Sequence, residues 1–234
     1  MVVAGLEYVL TVDSAMGGAS AGVYCVRSGD VFARELGVGQ GQAEMLVPMV
    51  QGALEDAGVV MADLGLVVTN IGPGSFTGLR TGMSCARSLA LALEIPLVGV
   101  NSFEVLAAAY AQDHDGDSAA DALCVLVESR RVEFYAQFFN MDLSIESEPL
   151  VIAQDDLNAR MAGRSIVVIG DALSRFDAGD GVFLENGYDA PEALTMARMG
   201  LKRFMAEGES QVNPLYLRDA DVSVSKRPQR VLGT

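Results

Sequence analysis

The stretch from residue 65 to residue 100 constrains the fold most. Gly65-Leu66-Val67-Val68-Thr69-Asn70-Ile71 is a continuous apolar run, as expected of a strand covered on both faces. A tight turn, Gly72-Pro73-Gly74, follows, and Ser75 is placed to cap a helix running to about Glu94. Pro96 marks the end of that helix, and Ile95 to Val100 reads as a second buried strand.

The flanking segments extend this pattern. Residues 6–13 read as a strand with an acid, Asp13, at its carboxyl end. Residues 19–27 and 30–37 are β-rich and separated by Ser28-Gly29-Asp30, which predicts a three-stranded antiparallel meander. Leu46, Val50, Ala53, Leu54 and Ala57 then recur at helical spacing, with Gly58 as C-cap, and 102–112 reads as another helix. The second half opens in the same way, with a strand at 123–128 ending in Glu128 and a strand at 132–139. A helix at 154–161, a strand at 165–170 ending in Gly170-Asp171, and a helix at 191–206 complete it. A β-meander followed by alternating α and β, used twice, is the plan of the actin/Hsp70/sugar-kinase superfamily. The expected class is therefore α/β: an actin-like ATPase (ASKHA, ribonuclease H-like) fold with two similar βββαβα subdomains. The boundary is expected between 1–101 and 102–234, with the last helix able to pack back on the first subdomain.

Charge narrows the function. Sixteen basic against thirty-one acidic residues give a net charge of −15 and a pI near 4.3. Nucleic-acid binding leans on Lys and Arg neutralising phosphates, so direct binding is not expected. Cys25, Cys85 and Cys124 are far apart, with no metal-knuckle spacing, which suggests free thiols in a reducing compartment. The N-terminus lacks the basic region of a signal peptide. The longest apolar stretch, Leu89 to Val100, is interrupted by Glu94 and Pro96, and is too short for a membrane span of about 20 residues. A cytoplasmic protein without a membrane partner is the expectation.

The block from Asn70 to Gly82 excludes the familiar phosphate motifs. Walker A requires a lysine that the loop lacks. The dinucleotide fingerprint fails because Thr77 replaces its third glycine and Asn101 stands where the ribose-binding acid belongs. The glycines can serve an anion at the helix N-terminus or simply a close helix–sheet approach. Gly78, Gly82, Ala86 and Ala90 form a strip of small residues, and Leu79, Met83, Ala86, Ala90 and Leu93 step by 4, 3, 4, 3. Together with Met45 and Met49 of the preceding helix they make a joint apolar surface, either buried core or docking face. Amphipathic helices usually face their own sheet, so periodicity alone favours buried core over a docking face.

The sequence Gly72-Pro73-Gly74-Ser75-Phe76-Thr77-Gly78-Leu79-Arg80-Thr81-Gly82, with Ala86 to Leu93 and Ile95 to Val100, resembles the signature of the TsaB (YeaZ) family. Val12-Asp13-Ser14, Ala43 to Met49 and Asn213-Pro214-Leu215-Tyr216-Leu217-Arg218 match its other segments. Two departures stand out. Gln42 replaces a common His, and Glu128-Ser129-Arg130-Arg131-Val132-Glu133-Phe134-Tyr135 replaces Asp-Ala-Arg-Arg-Gly-Glu-Val-Tyr.

The resemblance implies a non-catalytic subunit that supports a TsaD-like catalytic partner. That partner binds ATP and metal and transfers a threonylcarbamoyl group to the adenosine 3′ of certain anticodons. Association is implied through the two N-terminal-domain helices, with Met45, Met49, Leu79, Arg80, Met83, Ala86, Arg87 and Ala90 as candidates. A TsaE-like ATPase then joins the pair, and a homodimer through the same helices is a further expectation. A more basic partner would hold the RNA.

No cofactor is expected to bind tightly to this chain alone, and ATP or ADP would lodge only at the junction with the partner. The catalytic relative holds metal with a His-x-x-x-His pair, whereas this chain has one histidine, His114, in the polar run Gln112-Asp113-His114-Asp115-Gly116-Asp117. That run does not complete a calcium loop, so His114 is read as a solvated residue and no metal is expected. Asp13 and Glu128 lie at strand ends where actin-fold ATPases place working acids. However, Ser14-Ala15-Met16 is not a phosphate hairpin, and Gly170-Asp171-Ala172 is a poor adenosine loop. A degenerate nucleotide cleft of Asp13, Ser14, Glu128, Gly170 and Asp171 is expected. The rival readings are a small-molecule kinase of the same superfamily, a metallopeptidase, which needs two or three converging ligands, and a purely homodimeric module.

Overall fold

A computed structural model describes residues 6–37, 42–114, 119–209 and 212–218. The opening meander is β1 (Tyr8–Asp13), β2 (Gly18–Cys25) and β3 (Val31–Gly37), with Tyr8 opposite Cys25 and Asp13 opposite Ser20. After α1 (Gln42–Ala57), β4 (Leu64–Asn70) joins β1 in parallel. Beyond α2 (Phe76–Leu93), β5 (Leu97–Val100) joins β4, giving the order β3-β2-β1-β4-β5. α3 (Ser102–His114) leads to the second sheet, built from β6 (Ala122–Val127), β7 (Phe134–Phe139), β8 (Leu150–Ile152), β9 (Ile166–Ile169) and β10 (Val182–Leu184), in the order β10-β9-β6-β7-β8. α4 (Gln154–Met161) joins β8 to β9, and α5 (Ala193–Glu207) follows β10. This is the α/β, actin-like arrangement: two sheets, each an antiparallel meander extended by parallel strands.

Side-chain alternation explains the unbroken apolar runs. Leu10 and Val12 point toward α1 and α2, where Leu46, Val50, Met83 and Ala86 are buried with them. Val9, Leu66 and Val68 point the other way, onto Val105 of α3 and Met196 and Ala197 of α5. The first sheet is therefore covered by helices on both faces. Part of its cover arrives from the end of the chain: Gly200 lets α5 lie directly on β4, since a methyl group there would stand 2.3 Å from a Val68 methyl.

α3 sits between the sheets, with Phe103, Leu106 and Tyr110 meeting Leu123, Val125 and Phe139. Leu157 and Met161 of α4 close the outer face of the second sheet against Phe134, Phe138 and Phe176. Three features differ from the sequence reading. β8 and β10, of three residues each, give no periodic signal. The link from β9 to β10 carries only a 3₁₀ turn, Leu173–Arg175, where the first lobe has a full helix.

Candidate functional site

The signature loop is built downward onto the β1–β2 turn. Ser75 caps α2, its Oγ accepting from the Gly78 N–H at 3.3 Å. The Ser75 N–H donates to Ala15 O at 2.8 Å, and Ser14 Oγ donates to Gly78 O at 2.7 Å. A methyl group at Gly78 would lie 1.9 Å from Ser14 O, and one at Gly74 would lie 2.4 Å from Ala15 O. The glycines thus serve a close approach of helix to sheet, and the loop rests on its own chain. Behind it, Gly72 N–H donates to Asn70 Oδ1 at 2.8 Å, and Ser102 Oγ donates to Pro73 O at 2.7 Å.

Asp13 lies under this assembly, 3% exposed. Its Oδ1 accepts from the Ala15 N–H at 2.9 Å. Burial raises its pKa to about 6, against the lowering pull of hydrogen bonds from Ala15, Asn70 and Ser14.

On the second lobe, Glu128 N–H donates to Asp171 Oδ1 at 2.7 Å, directly after Gly170, whose φ is +121°. Burial pushes Asp171 up to about 6, and the charge of Glu128 adds to the rise. Arg175 braces the turn between β6 and β7. Its Nε stands 2.9 Å from Glu128 Oε2, its other nitrogens donate to the carbonyls of Arg131, Val132 and Glu133, and its guanidinium lies 4.1 Å from the Phe134 ring centroid. Nothing in the local sequence marks Arg175, because its partners lie more than forty residues away.

Between the lobes is a cleft of about 460 Å³. It is walled by the signature loop from Pro73 to Thr77, the turn from Glu128 to Arg131, Tyr135, and the segment from Leu215 to Arg218. Two segments that carry the family resemblance, the signature loop and Leu215 to Arg218, therefore meet here, together with the turn at which the chain departs from that family. The expected nucleotide set does not. Asp13 faces a separate recess of about 230 Å³ beside Glu35, Asp189 and Glu192. Ser14 is buried and spent on Gly78, and Gly170 and Asp171 line neither cavity. The five residues are thus divided by packing, and they do not form one nucleotide-sized site. Among the described residues, no group of three or more His, Cys, Asp and Glu side chains could hold a metal ion.

Two further expectations are corrected. Met49, Leu79, Met83, Ala86 and Ala90 are buried in the chain's own core, because the 4-3 stripe of α2 faces β1 and β4. They cannot line a surface open to a partner. Of the docking candidates, Met45 is 42% exposed, and Arg80 and Arg87 lie on the outer face of α2. His114 is the last residue of α3, not a solvated loop residue: its Nε2 is 2.7 Å from Glu185 and its ring stacks on Tyr110. Asp115 and Asp117 lie outside the described residues. No helix among the described residues is long and apolar enough to cross a membrane.

Residues 38–177, more than half of the chain, match the family model described as TsaD: tRNA N6-adenosine threonylcarbamoyltransferase. This chain belongs to the TsaD family. Relatives named TsaB are also found. The Escherichia coli protein named tRNA threonylcarbamoyladenosine biosynthesis protein TsaB is 29% identical over 199 residues, 79% of this chain and 84% of that protein. An uncharacterized protein of Mycobacterium tuberculosis is 38% identical over 136 residues. That match takes in 57% of this chain and only 60% of the relative's length. The solved structure of YeaZ from Pseudomonas aeruginosa superposes with a TM-score of 0.74 at 20% identity, over 91% of this chain and all of that one. The TsaD-family chain described here therefore has the YeaZ fold.

Proposed function

We propose that this chain is the non-catalytic, activating subunit of a tRNA threonylcarbamoyladenosine transferase complex. It docks on a TsaD-like catalytic subunit, and a TsaE-like ATPase joins the pair. The observation that carries this reading is the collapse of the signature loop onto Ser14 and Ala15. An ATPase of this fold needs the β1–β2 turn open to phosphate beside a working acid, whereas here Ser14 and Ala15 of that turn are taken up by the loop, and Asp13 is 3% exposed with its carboxyl bonded to the Ala15 N–H. The names of the E. coli, Buchnera aphidicola and Bacillus subtilis TsaB relatives support the pathway. ATP or ADP in the complex would then depend on the partner's residues, and the acidic charge of this chain leaves the tRNA to the partner. The cytoplasm is where that chemistry takes place.

The docking face we assign is the outer side of α1 and α2. Leu91 is 82% exposed and Val47 48%, and both accompany Met45, Arg80 and Arg87. Exposed large apolar side chains on two neighbouring helices suit a helix-packing partner, and a homodimer would use the same helices.

The test is threonylcarbamoyl transfer to tRNA by the cognate TsaD-like protein, with and without this chain, alongside co-purification. We expect a complex, and activity that requires both chains. Full activity of the catalytic subunit alone would sink the reading. So would ATP turnover by this chain alone that disappears in Asp13→Ala, which is the kinase outcome.

A further inference from the structure

The segment 212–218 crosses from one lobe to the other. Val212 is buried in the first core, and its carbonyl accepts a hydrogen bond from Arg87. The Leu215 N–H donates to Ile71 O at 2.7 Å, which ties the segment to the end of β4. Arg80 Nε then donates to the Tyr216 hydroxyl at 3.1 Å, and the Arg80 guanidinium lies 3.7 Å from the Phe76 ring centroid. Leu217 packs into the cluster between the sheets, and Arg218 pairs with Glu133 of the second lobe at 2.7 Å. The same segment forms one wall of the cleft.

Its two side-chain anchors on the first lobe sit on the outer face of α2. Arg80, Ser84, Arg87 and Leu91 are spaced 4, 3 and 4 residues apart and so share one stripe of the helix, within about 60° of each other at 100° per residue. The arginines that hold the segment thus share one stripe of the helix with Leu91, which is 82% exposed. Their contacts are shallow. Arg80 reaches an exposed tyrosine, and Arg218–Glu133 is a part-exposed ion pair of the kind worth little in water.

We infer that residues 212–218 form a latch between the face of α2 and the cleft: Arg80 and Arg87 hold it on the first lobe, Arg218 ties it to the second, and a partner that engages the two α2 arginines frees it. The coupling rests on the docking reading above. A partner shifts the latch only by the difference in its contacts to the held and freed states, and Arg80 and Arg87 supply that difference, because each bonds either the segment or the partner.

The test is amide hydrogen exchange on the full chain, followed at Leu215, at the turn 128–133, and at β1 and β4 as controls. In the double variant Arg80→Ala, Arg87→Ala we expect at least tenfold faster exchange at Leu215, with β1 and β4 unchanged. Arg218→Ala should speed the 128–133 turn and leave the Leu215 bond to Ile71 in place. Adding the TsaD-like subunit to the wild-type chain should speed Leu215 as the double variant does. Unchanged exchange at Leu215 in the double variant overturns the latch. Slower exchange there in a formed complex overturns the coupling. If no complex forms, the docking reading and the coupling fall together, while the variant arm still decides the latch.

Discussion

Burial decides what Asp13 can do. Its carboxyl accepts a backbone N–H and is only 3% exposed, so the charged form is disfavoured and the pKa moves from 3.8 to about 6. The consequence for stability has a definite sign. The folded chain binds this proton more tightly than the unfolded chain, so stability falls as pH rises from about 4 to about 6. A penalty of about 3 kcal/mol persists above that range. Asp13→Asn keeps the oxygen that accepts from Ala15 and removes the charge. We expect it to gain up to about 3 kcal/mol near pH 7 and to flatten the stability profile between pH 4 and 6, as read by urea denaturation at several pH values. A loss of stability at pH 7 would mean that the carboxylate is held by something that Asn cannot satisfy. The strand-end position of Asp13 was legible in the sequence. Its enclosure was not, because the covering residues lie some sixty positions later and act through glycine, which leaves no side-chain signal.

The helix α2 shows what periodicity can and cannot say. Its cap at Ser75 and its end at Leu93 follow from the sequence, although the chain leaves through Glu94 in the left-handed region, φ 53°, without the glycine usual there. The 4-3 stripe also announced an apolar face correctly. What it could not announce is which surface covers that face, since a sheet and a partner helix select the same residues. Met83 is 3% exposed against the first sheet, so Met83→Arg should place an unpaired charge in the core and yield unfolded or aggregated protein. Leu91→Arg should leave the melting temperature within a few degrees and weaken only association, measured by size-exclusion chromatography with the TsaD-like subunit. Gly78→Ala belongs to the same element. Its methyl group would collide with Ser14 O, so we expect a loss of several kcal/mol or a visibly displaced loop by near-UV circular dichroism. The short strands β8 and β10 and the brace at Arg175 escaped sequence reading for a related reason: three residues carry no period, and a side chain serving carbonyls forty positions away has no local pattern.

Taken whole, the molecule is two sheets that were legible as two halves of the chain, and one helix that ignores the division. The apolar face of Val9, Leu66, Val68, Val98 and Val100 is closed in part by Met196 and Ala197 of α5. A fragment of residues 1–101 would leave that face bare. We expect it to bind a hydrophobic dye and to lack a cooperative thermal transition, while adding α5 as a separate peptide should restore some order. A compact, cooperatively melting fragment would show that α5 is dispensable. The same arrangement sets an order of events during synthesis. The first lobe emerges with its strands in place, yet roughly 90 residues must still be translated before α5 arrives, a wait of roughly 5–20 s at ordinary ribosome speeds. Until α5 arrives, part of that aliphatic face stays uncovered, and we expect the nascent chain to lean on whatever shelters such surfaces at the ribosome exit.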